Sequence, residues 1–148
     1  MPFRLLVPRN LLDALVAQAL AEQPNECCGL LAGKREGPAG AEKPGGGVAR
    51  VVERYPLVNA LACPVRYESD GPSMLRAYRD MRARGLDIVA VYHSHPASEP
   101  VPSRTDLACN YYPDVVHLIV SLATTPPRVR GWWLTETDYR EAEWEVVG

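Results

Sequence analysis

The run DIVAVYHSH, residues 87 to 95, is followed at once by a proline, and this junction constrains the fold more than any other stretch of the chain. Ile88 to Tyr92 are apolar without a break, so the segment reads as a buried strand, which requires a sheet around it and cover over that sheet. Pro96 has no N–H and ends regular pairing, while Pro100 and Pro102 restrict the loop that follows. His93 and His95 therefore stand at the carboxyl end of a buried strand. Residues two apart on a strand face the same way, with backbones roughly 6.6 Å apart at about 3.3 Å per residue. Two imidazoles so placed can close on one ion, and the loop can bring Asp106 back over them.

The other segments supply the sheet and its cover. FRLLV (3–7) reads as a short strand, and LLDALVAQALAEQ (11–23) as a helix with Asn10 as N-cap and Pro24 as its stop. CCGLLAG (27–33) has strand length and leads into REGPAGAEKPGGG, a Gly/Pro-rich hairpin loop over 35–47. VARVVERYPLVN (48–59) and VRYES (65–69) are β-rich, and PSMLRAYRDMRARG (72–85) is a second helix with proline in its first turn and glycine at its end. SRTDLACNYY (103–112) reads as a short helix, and VVHLIVSL (115–122), RVRGWWL (128–134) and YREAEWEVV (139–147) as three further strands. The expected fold is α/β (α+β): a mixed, mostly antiparallel sheet of six to eight strands flanked by two or three helices. With 148 residues the chain is expected to be a single domain over 1–148.

Composition narrows the function classes. A formal charge of -2 without a long basic run points away from nucleic acid. No stretch approaches the roughly 20 apolar residues that span a bilayer, and Arg9 and Asp13 interrupt any signal-peptide pattern, so a cytoplasmic protein is expected. Cys27, Cys28, Cys63 and Cys109 fit neither a disulfide framework nor a four-cysteine zinc site, and read as reduced, mostly buried thiols. His117, inside an apolar run, reads as a hydrogen-bonded sheet histidine. Trp132 and Trp133 alternate, so one should face the core and the other the surface or a partner.

A catalytic zinc takes three protein ligands and leaves a fourth position to water, and His93, His95 and Asp106 meet that requirement. The donor set, two imidazoles and a carboxylate with an open position, favours zinc over iron or manganese. A plainer reading competes: Ser103 with Asp106 is an S-x-x-[DE] capping box, and His-Ser-His before proline could be a polar strand end. Cap and ligand are compatible roles for one aspartate. Glu26 opens the apolar run CCGLLAG, where a carboxylate needs a partner to justify burial, and is otherwise a solvated loop end.

Together the residues resemble a known family. H93-S-H95-P with Ser103 and Asp106 is similar to the JAMM (MPN+) zinc metalloprotease signature, and PNECCGLLAG resembles the family's upstream P-x-E-x-C-G context. The likeness extends to Asn59 in the PLVNA turn and to PDVVHLIVSL, over about residues 5 to 135. It implies the MPN (cytidine-deaminase-like) architecture, one Zn2+ per chain on His93, His95 and Asp106, Glu26 as general base and then acid, and Ser103 as donor to the oxyanion. Cys28, in the family's cysteine position, is packing rather than a nucleophile.

The small stand-alone bacterial members suggest the substrate: an amide bond after the C-terminal diglycine of a ubiquitin-like sulfur-carrier or modifier protein. The tail could add to an exposed strand edge beside the metal. A homodimer is compatible with this reading. Two alternatives come from other classes: a non-catalytic MPN scaffold, which should lack the ligands, and a RadC-like DNA-associated protein, against which the acidic charge balance speaks.

Overall fold

The structure, a computed structural model, describes residues 3–36, 47–60 and 71–148. Most of the 35–47 loop, the strand expected at 65–69 and Cys63 lie outside the described residues. In chain order the elements are β1 (Arg4–Pro8), α1 (Arg9–Glu22), β2 (Cys28–Glu36), β3 (Val48–Leu57), α2 (Gly71–Arg84), β4 (Asp87–His95), α3 (Arg104–Ala108), β5 (Val116–Ser121), β6 (Arg128–Leu134), β7 (Tyr139–Glu141) and β8 (Trp144–Val147).

The strands form one sheet in the order β7-β6-β5-β4-β2-β3-β1-β8. Pairings β2–β3, β2–β4, β5–β6 and β6–β7 are antiparallel, whereas β1–β3, β1–β8 and β4–β5 are parallel. The mixed, mostly antiparallel sheet with three helices is the fold expected from the sequence. β4 is interior, which is why its apolar run is unbroken. On one face Leu5, Val7, Leu31, Ala90, Tyr92 and Leu118 pack with Leu15 and Ala19 of α1. On the other, Cys28, Leu30 and Val91 pack with Ala77 and Met81 of α2.

One polar knot fixes α1 to three strands. Gln18 Oε1 accepts from the Tyr92 hydroxyl at 2.5 Å and from Arg54 at 2.8 Å, while its Nε2 donates to the Cys28 carbonyl at 3.1 Å. Tyr92 reaches Gln18 by crossing Gly29, where an added Cβ would stand 2.1 Å from the ring. Glycine at 29 is thus a packing requirement of the fold.

β7 and β8 lie at opposite ends of the strand order, yet only Ala142 and Glu143 separate them. The chain from Glu141 to Trp144 can reach ~10 Å, whereas the edges of a flat eight-stranded sheet would be on the order of 30 Å apart. The sheet must therefore curl until its edges meet. The link bonds to both: Ala142 N–H donates to Gly131 O at 2.9 Å, and Leu5 N–H donates to Glu143 O at 3.1 Å.

Several local expectations are corrected. YREAEWEVV is two strands rather than one, because the chain crosses from β6 to β1 midway. α1 begins at Arg9 after Pro8 and has no side-chain cap, so Asn10 lies inside its first turn. α3 stops at Ala108, short of residue 112, where Asn110 turns the chain by accepting from Tyr112 N–H at 3.1 Å. Both tryptophans pack: Trp132 joins Ile119 and Leu134, and Trp133 meets Phe3 edge-on across the sheet. Cys109 is exposed beyond α3 rather than buried. Among the described residues β4 has a neighbour on each side, so no free edge of this sheet lies beside its histidines.

Candidate metal centre

Alternation along β4 turns His93 and His95 to the face of Val91, under α2 and α3, and both are buried. Their Nε2 atoms lie 3.1 Å apart. Asp106 completes a triangle, with Oδ1 3.1 Å from His93 Nε2 and Oδ2 3.1 Å from His95 Nε2. Ligands bound at about 2.0–2.1 Å in tetrahedral geometry stand roughly 3.3 Å apart, so the spacing suits one small ion. His95 Nδ1 lies 2.8 Å from the Glu99 carbonyl. That acceptor holds a proton on Nδ1, so the neutral ring turns its Nε2 lone pair inward, as a ligand requires. His93, His95 and Asp106 could together hold a metal.

The cap and the ligand geometry coexist. Ser103 Oγ accepts from Asp106 N–H at 3.1 Å, and Asp106 Oδ2 accepts from Ser103 N–H at 2.8 Å, which is a complete capping box. The same carboxylate faces the histidines.

Charge in the cluster is coupled. Burial works to raise the Asp106 pKa, but His93, hydrogen bonds from both histidines and the Ser103 N–H hold it well below the carboxylate range. For His95 burial works to lower the pKa, and Asp106 and the Glu99 carbonyl more than offset it, so the net shift is upward. Such mutual stabilisation of opposite charges is what a metal ion would replace.

Glu26 enters from the neighbouring strand. Cys28 pairs with His93, and Cys27 continues the ladder with Ser94: Ser94 N–H donates to Cys27 O at 3.1 Å. The next residue along, Glu26, therefore comes opposite His95. Glu26 is buried, and its carboxyl is pushed up to about 7, chiefly by burial; His93 and His95 pull it down and Asp106 adds to the rise. Asn59 Nδ2 donates to the Glu26 carbonyl at 3.0 Å, so the PLVNA turn holds the backbone of this glutamate. The structure brings His93, His95 and Asp106 within ligand distance of one another, places Glu26 one step beyond Cys27 along the pairing, and uses the Ser103 side chain as the cap of α3.

Neighbouring groups are buried in the core. Burial pushes the Cys27 thiol up to about 11, and Cys28 packs under α2. His117 Nε2 donates to Tyr112 O at 3.0 Å, and burial pulls its pKa down to about 4, so it is neutral and satisfied. Sequence reasoning missed Ser94, whose Oγ accepts from Cys27 N–H at 2.8 Å; its place between two inward histidines was the available signal, since it had to face the other way.

The model of prokaryotic homologues of the JAB domain matches residues 8–135. The chain belongs to this family. JAB-family proteins are metal-dependent, in keeping with the His-His-Asp group. The JAB chain is 36% identical over 118 residues to the CysO-cysteine peptidase of Mycobacterium tuberculosis, covering 79% of this chain and 73% of the relative. It is 30% identical over 132 residues to a desampylase of Pyrococcus furiosus, covering 89% and 82%. A probable TtuB-protein conjugate cleaving protease of Thermus thermophilus is 38% identical over 104 residues, 70% of this chain and 61% of that one. A solution structure of a Desulfitobacterium hafniense protein superposes with a TM-score of 0.82 at 29% identity, covering 97% of this chain and 92% of the other. No helix among the described residues is long and apolar enough to cross a membrane.

Proposed function

We propose that this JAB-domain enzyme is a cytoplasmic, zinc-dependent peptidase or isopeptidase that hydrolyses the amide bond after the C-terminal diglycine of a ubiquitin-like sulfur-carrier or modifier protein. The observation that carries the reading is a buried carboxyl near neutrality, Glu26, set across one strand pairing from a His-His-Asp triangle of zinc-ligand spacing. The names of the relatives support the substrate class, a ubiquitin-like protein conjugate.

His93, His95 and Asp106 would hold the ion. When bound, Zn2+ supplies Lewis acidity, which polarises the scissile carbonyl and acidifies a bound water. Glu26, with a pKa near the working pH, takes the proton from the attacking water and returns it to the leaving nitrogen. The Ser103 hydroxyl accepts from Asp106 N–H and keeps its own hydrogen free for the oxyanion. Asn59 keeps the Glu26 backbone from drifting as its charge changes. No covalent acyl-enzyme is required, consistent with a Cys27 thiol that burial pushes up to about 11.

The deciding experiment combines metal content with cleavage of a diglycine-tailed carrier fusion, followed by mass spectrometry. The native protein should hold one zinc and cleave, and Glu26→Gln should keep the zinc and lose cleavage. Native protein without zinc, or Glu26→Gln with native cleavage, removes the proposal.

A further inference from the structure

Three consecutive carbonyls of the loop between β4 and α3 are each taken by a side chain from a different strand. Ser121 of β5 donates from Oγ to Ser98 O at 2.6 Å, His95 of β4 donates from Nδ1 to Glu99 O at 2.8 Å, and Trp132 of β6 donates from Nε1 to Pro100 O at 2.8 Å. The Trp132 bond is buried, and it comes from a strand two places away from the histidines. Val101 and Leu107, on either side of the α3 cap, pack on the Ile119, Trp132 and Leu134 cluster. The ring is itself gripped: the Arg130 guanidinium lies 4.4 Å over it, Arg130 pairs with Glu141 through two hydrogen bonds, and Tyr139 meets it edge-on.

We infer that Trp132 is a positioning residue for the metal centre; the inference rests on the functional reading above. Its N–H fixes the carbonyl next to the one that orients His95, and its ring seats the segment that delivers Asp106. A loop with three prolines has few conformations but not only one. Without the Trp132 N–H, Pro100 O loses its buried donor, the strand-to-helix link can shift, and both the His95 proton position and the Asp106 carboxylate shift with it. Groups that hold ligands in place typically carry about 10- to 100-fold of metal affinity.

Trp132→Phe keeps an aromatic ring for Arg130, Tyr139 and the apolar cluster while removing the N–H donor and part of the indole. Zinc affinity, read by competition with a chromophoric chelator, should fall at least ~10-fold, while the metal-free protein stays folded with a lower denaturant midpoint, because a buried acceptor is left unpaired. Trp133→Phe, next along the strand on the opposite face, should bind zinc like the native chain. A Trp132→Phe affinity within about twofold of native, or an equal loss in Trp133→Phe, overturns the inference while leaving the peptidase reading intact. Should Trp132→Phe not fold, β-(3-benzothienyl)alanine at position 132 decides by the same criterion, because it keeps the fused ring and lacks only the N–H. A native protein that takes up no zinc removes both proposals together.

Discussion

Ser94 and Cys27 are bonded twice across the β2–β4 pairing: Ser94 N–H donates to Cys27 O at 3.1 Å, and Ser94 Oγ accepts from Cys27 N–H at 2.8 Å. The serine between the metal-facing histidines thus pins the residue after Glu26, and one strand sets both the ligands and the base. Ser94→Ala leaves a buried N–H without its acceptor. It should lower stability by about 1–3 kcal/mol, measured by denaturant unfolding, and reduce turnover through displacement of Glu26 while zinc content stays native.

Ser103 carries two roles that one variant can separate. Ser103→Ala removes the acceptor for Asp106 N–H, a cap worth about 1 kcal/mol, and also the oxyanion donor, whose loss typically costs about 100-fold or more in turnover. At saturating zinc, kcat should fall by about 100-fold with KM little changed. A loss that added zinc fully restores would mean that the serine only positions α3.

Glu26 should leave a pH signature in the metal-free protein. Its folded pKa, about 7, lies above the ordinary 4.5, so the folded state holds the extra proton across that interval. Stability then declines as pH rises from 4.5 through 7 and levels off above. Glu26→Gln removes this decline and should be more stable than the native chain at pH 8 by about 2 kcal/mol after solvent screening. Paired thermal or urea melts across the pH range of the two metal-free proteins test this.

His117 gives the opposite slope. Burial holds its folded pKa at about 4 against an ordinary 6.5, so the unfolded chain binds the extra proton between those values. The contribution is complete above pH 6.5 and is lost as pH falls toward 4, about 3 kcal/mol in all. His117→Gln keeps a donor for Tyr112 O but does not titrate. Its melts should be flatter than native in that window, with activity at pH 8 unchanged.

Legibility followed the range of the information. α1, α2, β4 and β6 were readable because their apolar periods are local, and His93, His95, Ser103 and Asp106 were readable because one short motif contains them. Glu26 was a candidate on local grounds, but its nearness to the histidines depends on the β2–β4 register, which no single segment encodes. The split of YREAEWEVV was hidden because the chain changes strand partners without leaving extended conformation. Trp132 looked like sheet packing, since its donor role depends on a loop 32 residues upstream.

The meeting of β7 and β8 bears on how the chain is made. β1, near the start of the described chain, has only β3 on one side until β8, the last strand, arrives on the other. During synthesis the row of Leu5, Leu6 and Val7 must wait, half-paired, for the last strand. Until then the nascent chain exposes the kind of apolar edge that other chains can add to. β8 is therefore a fastener that closes on an edge formed long before it, and until it closes that edge is open to other chains.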